Sequence, residues 1–166
     1  MITIDLTGRT SLVTGAGQGV GRAIARHLAA AAVLVNDLDA QRAQGVVDEI
    51  VAAHGSATAV PFDVTDYAAV QASLAGRAPI DILINNAGNA GTEGFGERGP
   101  FAESSPEDWE PFIKVNLYGA LNCCRTVLPS MITKRWGASS PSCPTPPDLV
   151  TPAAPSTARR KPALRA

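Results

Sequence analysis

With 166 residues, the chain is long enough for one domain with its own core. It is 45% hydrophobic and 17% charged, with a net charge of −1. That balance excludes a disordered polymer and leaves no basic footprint for nucleic acid or an anionic membrane. No apolar run approaches the roughly 18–20 residues of a membrane span, and no basic stretch followed by a long apolar one opens the chain, so neither a span nor a secretion signal is expected.

In chain order, residues 10–14, TSLVT, predict a short buried strand that stops at a glycine cluster. The run from Val20 carries Ile24, Ala25 and Leu28 at helical spacing. AVLVND predicts a second strand ending at Asp37. AQRAQGVVDEIVAAHG has a helical period through Val46, Val47, Ile50 and Val51, with Gly55 placed as its stop. ATAVPFDV predicts a third strand, near an edge or an end because of Pro61. DYAAVQASLAG reads as a short helix and IDILINNAG as the fourth, most apolar strand. After a polar loop from Gly91 to Glu103, Ser105 caps a helix that opens on Pro106 and runs to about Lys134.

Strands alternating with helices predict an α/β fold, a parallel sheet joined by right-handed crossovers and covered on both faces. The pattern stops at Trp136. Seven of the thirteen prolines fall in the last thirty residues, a density that no helix or central strand tolerates. Residues 1–136 therefore read as a partial domain, and 137–166 as a proline-rich tail that is disordered or polyproline-like. Cys123 and Cys124, with Cys143 in the tail, make neither a disulfide framework nor a metal site, which fits a reducing cytoplasm.

The chemistry concentrates in TGAGQGVG, between the first strand and the first helix. A dinucleotide pyrophosphate needs a tight turn, close backbone approach and a helix N-terminus aimed at it. Gly15, Gly19 and Gly21 can supply these, with Gly17 giving further room. Asp37, at the end of the second strand, can accept both adenosine ribose hydroxyls and would repel a 2′-phosphate. Its sequence neighbours Asn36, Leu38 and Asp39 offer no cation, so NAD is favoured over NADP.

At this point the chain resembles the short-chain dehydrogenases/reductases, over Leu6 to about Trp136. The motifs that carry the likeness are TGAGQGVG, the acid in VLVNDLD, FDVTD, INNAG and KVNLYGA. The resemblance implies a Rossmann-type doubly wound sheet, incomplete on its C-terminal side. It also implies oxidation of a secondary alcohol or reduction of a ketone, acyl-thioester ketones among them, with homo-oligomers for full-length members. Carried over residue by residue, Asp63 would meet adenine through its side chain and Val64 through its backbone. Leu38 would join the cofactor set beside Asp37, and Gln18, Gly19 and Val20 would approach the pyrophosphate and nicotinamide. Asn86, Ala87 and Gly88 would line the cofactor side of the fourth strand. Asn116 would be the helix residue of the catalytic tetrad.

Against the family pattern, HLAAAAVLV is short of a glycine and about two residues, and the stretch from Asp63 to Asn85 is about one helical turn short. Both predict local strain. The larger departure is the missing half of the tetrad. The resemblance calls for a serine, a tyrosine acid and a lysine four residues beyond it. Tyr67 is followed at that distance by Gln71, and Tyr118 by Asn122. The lysines are Lys114, Lys134 and Lys161. Four strands then leave DILIN with a bare edge. Slipping the coding frame by one base after Trp136 allows RVVTIVS, with serine at the 143/144 junction, tyrosine at 156/157 and lysine at 160/161. The tail can therefore be an out-of-frame reading of a catalytic segment. The alternative is a non-catalytic nucleotide-binding half-domain whose tail docks in an aromatic groove.

Overall fold

The computed structural model describes residues 5–88 and 101–141. Five strands form a parallel sheet in the order β3-β2-β1-β4-β5. They are β1 Thr10–Val13, β2 Ala32–Val35, β3 Ser56–Ala59, β4 Ile82–Asn85 and β5 Ala138–Pro141. The helices are α1 Gly19–His27, α2 Ala40–Ala52, α3 Tyr67–Leu74, α4 Pro106–Ile113 and α5 Ala120–Lys134.

The alternation of side chains along β1 and β2 divides the core. Leu12 and Leu34 face one way and pack with Val70, Cys123, Val127 and Met131 under α3 and α5. Val13, Val33 and Val35 face the other way and pack with Ala25, Val46, Val47 and Ile50 under α1 and α2. The sheet is thus covered on both faces, as a doubly wound fold requires. Among the described residues, no helix is long and apolar enough to cross a membrane.

The structure departs from the sequence reading in several places. The edge of β4 is not bare: β5 pairs with it in parallel, Ile82 opposite Ala138 through Asn85 opposite Pro141. Its sequence, ASSP, gave no apolar signal. The backbone groups on the outer side of β4 need partners, and the turn after α5 delivers one. Arg135 takes a left-handed conformation (φ 51), Trp136 N–H donates to Met131 O at 3.1 Å, and Ala138 N–H donates to Asp81 O at 3.0 Å.

The long helix after Ser105 runs unbroken from Pro106 to Lys134, as expected, but its middle, Lys114–Gly119, is π-helical between α4 and α5. Its start is as expected, with Pro106 in the first turn and Asp108 Oδ2 accepting from Ser105 N–H at 2.7 Å. The stop after α2 is made by His54, at φ 63. Gly55 serves instead as a close approach, since a Cβ there would lie 2.7 Å from Ile50 Cγ2. The shortened turn after α1 closes without left-handed backbone, with Ala31 N–H donating to Leu28 O at 2.8 Å. The loop from Gly91 lies largely outside the described residues, as do Cys143 and the tail positions invoked by the slipped frame.

A second feature sits at the opposite end of the sheet from the glycine cluster. Asp81, just before β4, is 2% exposed. It accepts from Thr10 N–H at 3.0 Å and from Lys134 Nζ at 2.9 Å, and Arg9 lies 3.8 Å away. Arg9 in turn covers the ring of Trp136, 3.8 Å from its centroid. Burial pushes the Asp81 carboxyl up, but the hydrogen bonds from Lys134 and Thr10 and the two positive charges outweigh it and hold the group below its ordinary value. The clamp joins the starts of β1 and β4 to the end of α5 and so places the turn into β5.

Candidate nucleotide site

The site is built at the C-terminal ends of β1, β2 and β4. Thr14 directly follows β1 and is buried. Its Oγ1 accepts from the N–H groups of Asn86 and Ala87, each at 3.0 Å. Asn86 Nδ2 donates to the carbonyls of Thr14 and Gly15, both at 3.0 Å. The end of β4 therefore braces the glycine turn directly. Gly15 is left-handed (φ 60), and a Cβ on it would lie 2.8 Å from Ala87 Cα. Gly21 is buried in α1, where a Cβ would collide with the Gly15 carbonyl. Only glycine lets helix, turn and strand end come this close.

Gln18 is the cap residue of α1, and α1 begins at Gly19. The first N–H groups of a helix lack intrahelical partners, so this end offers donors and a partial positive charge to an anion. Val20 in the first turn and Leu38 beyond β2 are 70% and 71% exposed. They are large apolar side chains bared at two rims of the loop.

Asp37 is 8% exposed and is aimed at the glycine loop. Its Oδ2 accepts from Gly17 N–H at 2.9 Å, and its Oδ1 accepts from Asp39 N–H at 3.0 Å. A second tie joins the same two segments, Ala16 N–H donating to Asn36 O at 2.7 Å. Asn36 is buried and its Nδ2 donates to the carbonyls of Val60 and Phe62, at 3.1 and 3.0 Å. The end of β2 is thereby locked to the segment after β3.

On that segment, Asp63 Oδ1 accepts from both the N–H and the hydroxyl of Thr65, each at 2.8 Å. Val64 is buried, and its carbonyl accepts from Asn122 Nδ2 at 2.9 Å. A Cβ on Gly119 would lie 2.6 Å from Val64 Cγ2. Asn122 and Gly119 thus dock the start of α5 on this segment. Sequence reading missed both, although Gly119 lies inside KVNLYGA and Asn122 follows it closely.

Asn116 lies on the π-helical stretch. Its Nδ2 donates to Phe112 O at 2.9 Å, and its Oδ1 lies 3.2 Å from the point a Cβ on Gly88 would take. The helix and the end of β4 meet at this pair. Such π stretches occur often at functional sites. Beside it Asn85 is buried, and its Nδ2 donates to Cys124 Sγ at 3.4 Å. Its Oδ1 finds no partner among the described residues; Pro141, opposite it in β5, brings no N–H.

The lysines described do not complete a tetrad. Lys114 pairs with Glu110 at 3.6 Å, and Lys134 is held by Asp81 at the far end of the sheet. Tyr118 is 49% exposed on the π stretch, and Tyr67 is 37% exposed where α3 begins. Cys123, buried against the sheet, has its thiol pushed up to about 12 by burial and by the neighbouring Cys124. Burial thus favours the neutral thiol over the nucleophilic thiolate.

The residues present fit a dinucleotide. A glycine-only turn, a helix start and an inward carboxylate converge at the strand ends where an open α/β sheet takes its ligand.

Comparison with known proteins agrees with this fold. The family model for short chain dehydrogenase matches residues 9–138. Oxidoreductase UcpA of Salmonella typhimurium is 39% identical over 140 residues, covering 80% of this chain and 50% of that protein. A gluconate 5-dehydrogenase from Burkholderia cenocepacia, solved with NADP and tartrate, superposes with a TM-score of 0.71 at 35% identity, covering 81% of this chain and 52% of the other. A 3-oxoacyl-[acyl-carrier protein] reductase from Brucella melitensis with bound NAD gives 0.74 at 31% identity, covering 81% and 53%. The chain spans about half the length of these relatives, and it belongs to the short chain dehydrogenase family.

Proposed function

We propose that this chain is the dinucleotide-binding part of an NAD-dependent oxidoreductase acting on a secondary alcohol or its ketone, and that as written it binds the cofactor without turning it over. The observation that carries the binding half is the Asp37 carboxylate turned onto Gly17 at 2.9 Å. Each carboxylate oxygen accepts one backbone N–H and keeps lone-pair capacity for a ribose hydroxyl. The glycine turn and the first N–H groups of α1 would hold the pyrophosphate. Val20 and Leu38 would cover the nicotinamide and adenine ends, and Asp63 and Val64 would border the adenine. Ala87 and Gly88 would form the floor beyond β4.

The bound nicotinamide would supply or accept the hydride. What the chain lacks is the proton donor for the developing alkoxide. Asn116 would position a water, but no tyrosine stands four residues before a lysine. We read residues 1–136 as the partial domain, with its sheet carried on by β5 to Pro141, and the tail as the out-of-frame remnant of the catalytic segment. Free Cys123 and Cys124 suit a reducing compartment, read here as the cytoplasm.

The test is to titrate the full chain with NADH by fluorescence and to assay NADH oxidation against a panel of ketones, including an acetoacetyl thioester. Saturable binding without turnover is expected. Turnover above buffer would overturn the inactive reading, and absence of binding would overturn the nucleotide reading.

A further inference from the structure

We propose that Arg42 is a second determinant of cofactor choice, a latent receptor for the 2′-phosphate that Asp39 masks. The inference rests on the nucleotide reading above and deepens it. In sequence, Asp37 has no cationic neighbour. In space it has one. Arg42 Cβ and Asp37 Oδ2 each lie 2.6 Å from the point that a Cβ on Gly17 would occupy. The arginine stem and the carboxylate therefore meet across one glycine of the phosphate loop. The guanidinium is tied back, with Nε 3.4 Å from Asp39 Oδ2. Asp39 also caps α2, its Oδ1 accepting from Gln41 N–H at 2.8 Å and Arg42 N–H at 3.2 Å.

NADP differs from NAD by a phosphate on the adenosine ribose, at the hydroxyl that Asp37 would accept. Next to Asp37 that phosphate meets a negative charge. A planar guanidinium within reach is the group best shaped to offset it. Arg42 is 50% exposed on its side chain, so its head can swing while its stem stays on Gly17. In the resting arrangement Asp39 neutralises it, which leaves Asp37 to decide and favours NAD. Surface pairs of this kind are weak, so the mask is removable by one substitution.

The experiment measures Kd for NADH and NADPH on the full chain, on two variants, Asp39→Asn and Arg42→Gln, and on their combination. Asparagine caps a helix about as well as aspartate, so the first variant keeps α2; the second alters an exposed side chain. Asp39→Asn is expected to shift the NADPH/NADH affinity ratio toward NADPH by about three- to tenfold, an effect that shrinks with added salt. Arg42→Gln alone is expected to change the ratio little, because Asp39 already holds the guanidinium, and combined with Asp39→Asn it is expected to cancel the shift toward NADPH. Both cofactors binding with an unchanged ratio in Asp39→Asn, or with a shift that persists in the combined variant, would overturn this proposal and leave the nucleotide reading standing. Neither cofactor binding to the unaltered chain would overturn both.

Discussion

Gly17 N–H donates to Asp37 Oδ2 at 2.9 Å, which fixes the carboxylate beyond β2 against the glycine loop. Removing that charge tests its part in binding. Asp37→Asn keeps the shape, loses a charge-assisted acceptor and is expected to weaken NADH binding by about ten- to a hundredfold. NADPH, freed from repulsion, should lose less. Fluorescence titration of both cofactors measures the difference.

Gly21 carries the closest approach in the site. In Gly21→Ala the new methyl meets the Gly15 carbonyl and lies 2.9 Å from Ala16 Cα. Backbone cannot step aside cheaply, so a loss of about 1–3 kcal/mol is expected in urea unfolding. Gly45→Ala is the control, because a Cβ there meets nothing within 4 Å.

The glycine-turn half of the candidate site was legible because it is local. Strand, glycine turn, helix and Asp37 follow one another within about one βαβ unit, and the apolar runs of β1, β2 and β4 announced themselves. What stayed hidden depends on segments meeting across the fold. Arg42 reaches Gly17 only once α2 has packed, and Asn122 reaches the Val64 carbonyl only once α5 has docked. β5 was invisible because ASSP carries no apolar alternation; its place is set by the edge it covers and by the Arg135 turn. The π stretch around Asn116 has helical periodicity on both sides, so the sequence read it as one helix.

Acid should probe the clamp at the other end of the sheet. Asp81 has a folded-state pKa below its ordinary 3.8, so the unfolded chain binds its proton first. Its stabilising contribution is therefore present above about pH 4 and is lost as pH falls through the lower folded value. Asp81→Asn is expected to cost about 1–3 kcal/mol at pH 7 and to flatten the fall in stability below pH 4. Thermal melts from pH 7 down to pH 3 on both proteins read the slope.

His54 holds a left-handed conformation (φ 63) where glycine would sit without steric cost. His54→Gly is expected to stabilise the chain by about 0.5–1 kcal/mol, with cofactor affinity unchanged, because the residue closes α2 at the end away from Asp37. A rise in the urea midpoint at constant slope is the signature.

The most direct measurement is the ratio of NADH to NADPH affinity for the unaltered chain at moderate salt. Saturable binding of both, with NADH the tighter by about tenfold or more, is the result expected if Asp37 governs the site. Failure to bind either dinucleotide, or tighter binding of NADPH, would contradict it.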